Sequence, residues 1–144
     1  MLAGLAVAAA VGCGGDKAPR FDAPMRLGGV EVPAETLNKG AAVYMNHCAS
    51  CHGADGSGNG AAARKLDNPP RDFRAAEFKY KADPDAPLPT DEDLESVLVT
   101  GKIDNGMPAW KFMTKEDRHA VIQFIKTFSP RWTEGGGGPP EAAS

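Results

Sequence analysis

The stretch HCASCHG, residues 47–53, places two cysteines three positions apart and a histidine directly after the second. The chain has 144 residues but only three cysteines, so most of its thiols lie in these seven positions. On one helical turn the two sulfurs and the imidazole come close enough to act on a single bound group. The chemistry of this stretch therefore decides how the rest of the sequence is interpreted.

Three familiar kinds of cysteine site fit the stretch poorly. A structural zinc site needs four ligands, usually as two paired clusters, and the sequence has no second C-x-x-C and no H-x3-H. A thioredoxin-like redox pair is expected beside a β-α-β unit, but the flanks of the stretch lack strand patterns. A disulfide that closes so short a loop removes little chain entropy. Another chemistry is therefore expected for these cysteines.

Covalent haem attachment is the fourth kind of site, and C-x-x-C-H is its known pattern. Cys48 and Cys51 can each add to one vinyl group of haem. His52 then places its imidazole under the iron as the proximal ligand. Because the pattern also occurs by chance, the interpretation needs support from elsewhere in the chain.

A closed haem site needs a second axial ligand, and the chain has five methionines. Met107 stands in NGMPAW, residues 105–110, where Gly106 and Pro108 shape a tight extended loop. It lies 55 positions after His52, which is far enough for the chain to reach the opposite face of the haem. The others fall in the opening segment, the linker, the first helix and the approach to the last helix: Met1, Met25, Met45 and Met113. Met107 is therefore expected to be the sixth ligand.

The opening segment MLAGLAVAAAVGC is small and apolar from Leu2 to Val11. Ten helical residues rise only about 15 Å, which is too short to cross a bilayer, so a secretory signal is favoured over a membrane span. AVGC resembles a bacterial lipobox, and this resemblance implies that Cys13 becomes the lipidated first residue of the mature protein. The alternative is a cleaved signal followed by an incidental cysteine.

Composition indicates one loop-rich domain. The net charge is −3 and no basic stripe is present, so nucleic-acid binding is excluded. Most of the 17 glycines and 12 prolines fall in the opening segment, in residues 53–89 and in the tail GGGGPP. No alternation of apolar and polar residues is long enough to indicate a real sheet.

Helices are predicted where apolar residues recur at spacings of three and four and where capping residues precede them. Threonine–aspartate capping pairs stand before two of these helices, at Thr90 with Asp93 and at Thr114 with Asp117. The predicted helices are residues 35–47, 91–99 and 115–128.

Over about residues 35–132 the sequence resembles a class I (monohaem) bacterial cytochrome c. GAAVYMNHCASCHGADGSGNG resembles that family's first helix, attachment site and glycine-rich loop, GMPAW its axial-methionine loop, and EDRHAVIQFIKTF its last helix. The resemblance implies an all-α, small cytochrome c fold, with three main helices and long loops wrapped around one covalently bound haem c. The implied domains are a signal peptide (1–12), a linker and extended lead-in (13–34), the cytochrome c domain (35–132) and a disordered tail (133–144).

The resemblance also assigns packing residues. In the family the first and last helices cross at a small residue and an aromatic residue. Gly40 and Tyr44 match these positions, with Val121 and Phe124 opposite.

Residues around the haem are implied in the same way. A proline carbonyl of NPPRDF, from Pro69 or Pro70, is expected to accept the Nδ1–H of His52. Arg71 and Trp110 are expected near the haem, each within reach of a propionate, although a solvated surface position is equally open for Arg71. His47 and His119 are expected to face solvent.

Histidine and methionine ligands together leave no open position on iron, so the expected function is one-electron transfer rather than catalysis. The expected partners are membrane-associated or periplasmic redox proteins that bind briefly. The expected location is the periplasmic side of a membrane, with the domain anchored through Cys13. Two alternatives stay open: a peroxidase-like haem enzyme or ligand sensor with a displaceable sixth ligand, and a fixed electron-transfer subunit of an oxidase or dehydrogenase complex.

Overall fold

The computed structural model describes residues 17–134, so the predicted signal peptide, Cys13 and most of the predicted tail lie outside the described residues. Within this part of the chain the fold is helix-rich with one small sheet. No helix between residues 17 and 134 is long and apolar enough to cross a membrane. The elements are β1 (Met25–Leu27), β2 (Val30–Val32), α1 (Ala34–His47), α2 (Ala49–His52), α3 (Asp91–Thr100), α4 (Lys115–Lys126) and α5 (Arg131–Glu134), with 3₁₀ turns at Ala61–Lys65 and Ile103–Asn105.

The crossing of α1 and α4 is the centre of the core. A Cβ atom at Gly40 would lie 2.1 Å from the carbonyl oxygen of Ala120 and 2.8 Å from Cβ of Phe124, so only glycine permits this approach. The ring of Tyr44 packs 5.2 Å from that of Phe124, and Val121 is fully buried. The prediction that Gly40 and Tyr44 lie at the crossing is confirmed.

Helix α3 is fixed at its start by a capping box. The Thr90 hydroxyl accepts a hydrogen bond from the backbone N–H of Asp93, and the Asp93 carboxylate accepts one from the backbone N–H of Thr90. The buried Lys126 and Gln123 of α4 both donate to the Asp91 carboxylate, which ties α3 to α4. This contact positions α3 beside the cavity described below.

The small sheet corrects the all-α prediction. Strands β1 and β2 pair antiparallel through a two-glycine turn, with Met25 opposite Val32 and Leu27 opposite Val30. Leu27 and Val32 are buried in the core, and the N–H of Gly28 donates to the carbonyl of Trp132. Strands of three residues are too short to produce a recognisable alternation, so the sequence carried no signal for them.

Contacts with the rest of the fold begin early in the predicted lead-in. The side-chain amide of Asn38 exchanges two hydrogen bonds with the backbone of Phe21, at 2.8 and 2.9 Å. The lead-in is therefore fastened to α1 at residue 21, seventeen positions before Asn38.

The chain after α4 differs from the prediction at two points. Helix α4 ends at Lys126, two residues before the predicted end, because the N–H groups of Thr127 and Phe128 bond to carbonyls only three residues back. The short α5 then buries Trp132, which packs 6.2 Å from the Phe78 ring. Residues 133 and 134, predicted as tail, belong to α5.

Candidate haem site

The residues predicted for the site converge on one cavity of about 620 Å³. This volume lies within the range of roughly 300–1,000 Å³ that is typical of small-molecule sites. The structure thus brings together groups spread over sixty positions of the chain. The predicted residues that line it are Cys48, Cys51, His52, Pro69, Pro70, Arg71, Met107 and Trp110.

The turn that carries the cysteines continues directly from α1. The N–H of Cys48 donates to the Tyr44 carbonyl, and the N–H of His52 donates to the Cys48 carbonyl at 2.9 Å. The Tyr44 hydroxyl donates to the Gly53 carbonyl at 2.8 Å and so ties α1 to the end of the turn. A Cβ atom at Gly60 would lie 2.2 Å from the Ser50 carbonyl oxygen, which is why the loop that covers the turn has glycine at this position.

The imidazole of His52 is held by a backbone carbonyl, but not by the expected one. Its Nδ1 lies 3.2 Å from the carbonyl oxygen of Arg71. The carbonyl of Pro70 instead faces Gly58, where a Cβ atom would come within 2.5 Å of it. The expected proline acceptor, Pro69 or Pro70, is therefore replaced by the next residue, Arg71, because the carbonyl of Pro70 is directed at the glycine-rich loop instead.

The surroundings of His52 favour the form that binds a metal. Burial lowers the pKa of His52, while the hydrogen bond to the Arg71 carbonyl acts in the opposite direction. A neutral imidazole that donates from Nδ1 to a carbonyl keeps the lone pair of Nε2 free for iron.

Cys48 and Cys51 both line the cavity, and the thiol of Cys48 differs from that of a reactive redox pair. Both are free thiols. Burial, with a smaller contribution from Cys51, raises the pKa of Cys48 to about 12, whereas reactive C-x-x-C cysteines have lowered values. Within residues 17–134, no group of three His, Cys, Asp or Glu side chains is placed so that it could hold a metal ion.

The loop that carries Met107 is rigidly fastened. Its backbone N–H and carbonyl pair with those of Lys102, at 3.1 and 2.9 Å, which closes a small hairpin around Ile103–Asn105. The N–H of Trp110 then donates to the Leu98 carbonyl at 2.7 Å and fastens the loop to the end of α3. Met107 is partly buried and lines the cavity.

Aromatic rings border the cavity beside this loop. The Trp110 ring lies 5.3 Å from the ring of His47 and 5.6 Å from that of Phe112. His47 is exposed, as predicted, but it also lines the cavity, which the sequence analysis missed. His119 is exposed on α4 and is not among the lining residues.

Most of the apolar lining was not identified from the sequence. The part of the lining that lies on α3 and α4 could have been found from the apolar faces of these two helices, since such a face must pack against something apolar. The residues in question are Leu66, Phe73, Phe78, Leu94, Val97, Leu98, Ile122 and Ile125.

The cavity fits a haem c. Two free thiols and an imidazole stand on one turn, and a thioether stands on a separate loop. The wall is largely apolar, as a porphyrin requires, and three cations that could pair with propionates also line it: Arg71, Lys79 and Lys102. Among the lining residues only Asp72 carries a carboxylate, and that carboxylate is already paired with Arg74.

Comparison with known proteins gives a family and one solved relative. Residues 35–125 match the family model described as cytochrome c oxidase, cbb3-type, subunit III. A chain of the solved Kuenenia stuttgartiensis reducing HAO-like protein complex Kustc0457/Kustc0458 is 32% identical over 74% of this chain, with a TM-score of 0.63. The match spans 47% of that chain, about half its length. No curated protein matches the sequence. The chain therefore belongs to the cbb3-type cytochrome c family and is a c-type cytochrome, which implies a covalently bound haem c.

Proposed function

We propose that this protein is a one-electron carrier in which a single haem c, attached through Cys48 and Cys51, has His52 and Met107 as axial ligands. Family membership supports electron transfer by a c-type haem. The observation that carries the ligand assignment is that His52 and Met107 line one cavity together with both cysteines. The haem supplies an iron that gains and loses one electron.

The residues of the cavity hold and tune this group. His52 and Met107 would hold the iron from opposite sides and would leave no position for a substrate, which favours a carrier over a peroxidase-like enzyme. The Met107 thioether favours ferrous over ferric iron, so it raises the reduction potential of the haem relative to ligation by two histidines. The apolar wall from α3 and α4 acts in the same direction, because it solvates the more highly charged ferric state poorly.

Replacement of Met107 tests the ligand assignment. The oxidised wild-type holoprotein is expected to show the weak near-infrared band of sulfur-to-ferric-iron charge transfer, and the reduced protein is expected to resist carbon monoxide. Met107→Ala should abolish the band, lower the midpoint potential and permit carbon monoxide to bind, because the sixth position opens.

Met45→Ala is the matched control, because Met45 is partly buried on α1 and is not among the residues that line the cavity. It should leave all three properties unchanged. A wild-type ferrous protein that binds carbon monoxide readily would move the assignment toward a haem enzyme or ligand sensor.

The partners that we infer are other redox proteins, which approach at the rim of the cavity. Three of the four large apolar side chains exposed within residues 17–134 lie on or beside this rim: Tyr80 (47% exposed), Ile103 (66%) and Phe112 (74%). The Lys102 ammonium lies 3.7 Å from the centre of the Tyr80 ring, so positive charge is interleaved with the apolar groups. Small mixed surfaces of this kind suit brief encounters.

A fixed subunit of a larger complex is the second candidate. The family description names an oxidase subunit, and the solved relative is itself part of a complex. Extraction with mild detergent followed by co-purification separates the candidates. A carrier should emerge alone, whereas a subunit should emerge in constant ratio with the same partner chains.

Location belongs to the proposal as well. We infer that the protein is exported to the periplasmic side and anchored by lipid on Cys13, on the strength of the apolar run that ends in AVGC.

A further inference from the structure

The imidazole of His52 has a second contact that the sequence analysis did not foresee. The ring of Phe73 lies parallel to it, with 4.4 Å between ring centres and 15° between planes. The carbonyl that faces Nδ1 belongs to Arg71, only two residues earlier in the same loop. One short segment therefore contacts the imidazole both at its edge and on its face.

Phe73 is itself held from several sides. It is 8% exposed, and its backbone N–H donates to the Gly56 carbonyl at 2.8 Å. Its ring lies nearly parallel to those of Phe128 and Phe78, at 6.3 and 6.2 Å, and edge-on to that of Tyr44 at 6.4 Å. Rotation of the Phe73 ring would disturb all of these neighbours, so its plane is fixed by packing.

The two contacts constrain different motions of His52. A hydrogen bond to Nδ1 sets the tautomer and restrains the ring at that atom, but a carbonyl oxygen accepts hydrogen bonds over a broad range of directions, so the bond by itself still allows the imidazole plane to tilt. A ring stacked on the imidazole face removes that freedom. The Phe73 ring also keeps water away from this hydrogen bond, and such water would compete with the Nδ1–H of His52 for the Arg71 carbonyl.

We propose that Phe73 is a positioning residue for His52: the Phe73 ring fixes the plane of the axial imidazole, while the Arg71 carbonyl fixes its tautomer. This inference rests on the proposed function, because it requires His52 to ligate iron. The plane of an axial imidazole determines how its orbitals overlap with those of iron. The electron paramagnetic resonance spectrum of the ferric centre therefore reports on the orientation of that plane.

Phe73→Leu tests the inference in the holoprotein. Leucine keeps an apolar side chain but removes the flat face. The low-spin ferric electron paramagnetic resonance signal should shift its g values and broaden, because several imidazole orientations become populated. The Nδ1–H of His52 should also exchange with solvent deuterium faster than in the wild-type ferrous protein.

Phe124→Leu is the matched control. Phe124 is 1% exposed and packs on Tyr44, but it has no ring contact with His52 or Phe73 and does not line the cavity. It should destabilise the fold while leaving the g values and the exchange rate of Nδ1–H at their wild-type values. Equal spectral changes in both variants would show a general packing effect and would overturn the inference.

A measurement on the wild-type protein keeps the inference testable if Phe73→Leu does not take up haem. Nuclear Overhauser effects between the ring protons of His52 and Phe73 are expected in the ferrous holoprotein, and their absence would contradict the stacking. A wild-type spectrum without a low-spin signal would instead count against the proposed function. A low-spin wild-type spectrum that Phe73→Leu leaves unchanged would count against Phe73 alone.

Discussion

Cys48 differs from the cysteines of redox-active pairs although its spacing from Cys51 is the same. Reactive pairs owe their lowered thiol pKa to nearby positive charge or to a helix N-terminus. Cys48 lies between the end of α1 and the start of the four-residue α2, and here burial is the largest effect and raises its pKa. At neutral pH this raised pKa keeps the free thiol of Cys48 protonated, and the C-x-x-C pattern by itself does not distinguish it from a reactive pair.

Serine substitutions at the two cysteines test covalent attachment. The double variant Cys48→Ser/Cys51→Ser should carry no haem that survives denaturing electrophoresis with haem staining, because no thioether can form. Each single variant should keep one thioether, and its pyridine haemochrome maximum should move to longer wavelength since one vinyl group stays conjugated. Ser50→Ala, at the exposed position between them, should match the wild-type protein. Haem that acid–acetone removes completely from the wild-type protein would refute attachment.

At the scale of elements, the crossing of α1 and α4 connects fold and site. It holds α1 against α4 at Gly40 and Tyr44, while Ile122 and Ile125 of α4 line the cavity that the turn after α1 also borders. The crossing depends on a single glycine, since no side chain fits between Gly40 and the Ala120 carbonyl. Helix α3 completes the wall and carries the anchor of the methionine loop at Leu98.

Gly40→Ala should reverse the usual effect of this substitution. In the interior of an exposed helix, alanine stabilises by roughly 0.5–1 kcal/mol relative to glycine. Here the new methyl group must push α4 away, and overpacking of this kind costs about 1–3 kcal/mol. Denaturant unfolding of the holoprotein should therefore show a net loss of stability. Asn46→Ala, at an exposed position of the same helix, should change stability by no more than about 0.5 kcal/mol; a stabilised Gly40→Ala protein would contradict the close crossing.

At the scale of the whole molecule, charge is distributed unevenly although the net charge is only −3. Three cations and a single carboxylate line the cavity. Acidic residues concentrate instead in the segment that leads into α3 and in its first turns: Asp83, Asp85, Asp91, Glu92, Asp93 and Glu95. The cavity lining therefore carries more positive than negative side chains although the chain as a whole is acidic.

The proposed anchor on Cys13 would hold the domain close to the membrane. Eight peptide steps separate Cys13 from Phe21, where the lead-in is fastened to α1, and they span at most about 28 Å when fully extended. Cys13→Ser should release haem-loaded protein into the soluble fraction. Serine has no thiol to carry the lipid, so the proposed anchor would be lost. Fractionation and mass spectrometry of the native N-terminus check this. An unmodified Cys13 in the wild-type protein would exclude the anchor while leaving export open.

Local spacing along the chain was sufficient for the turn that carries Cys48, Cys51 and His52, for the approximate extent of the longer helices, and for the caps of α3 and α4. Cys48, Cys51 and His52 need only one helical turn to come together, and the threonine–aspartate pairs before α3 and α4 act within four residues. Each of these features depends on neighbours in sequence, so the pattern of residue types is itself the physical cause.

Only the tertiary structure determined the contacts that loops make with the cavity and with one another. Nineteen positions separate His52 from Arg71, and nothing local determines whether a proline carbonyl or the next one faces Nδ1. The stacking of Phe73 on His52, the contact of His47 with Trp110 and the hairpin of β1 and β2 on Trp132 have the same origin. Each joins residues distant in sequence, and the close packing of the core, rather than backbone preference, selects the partner.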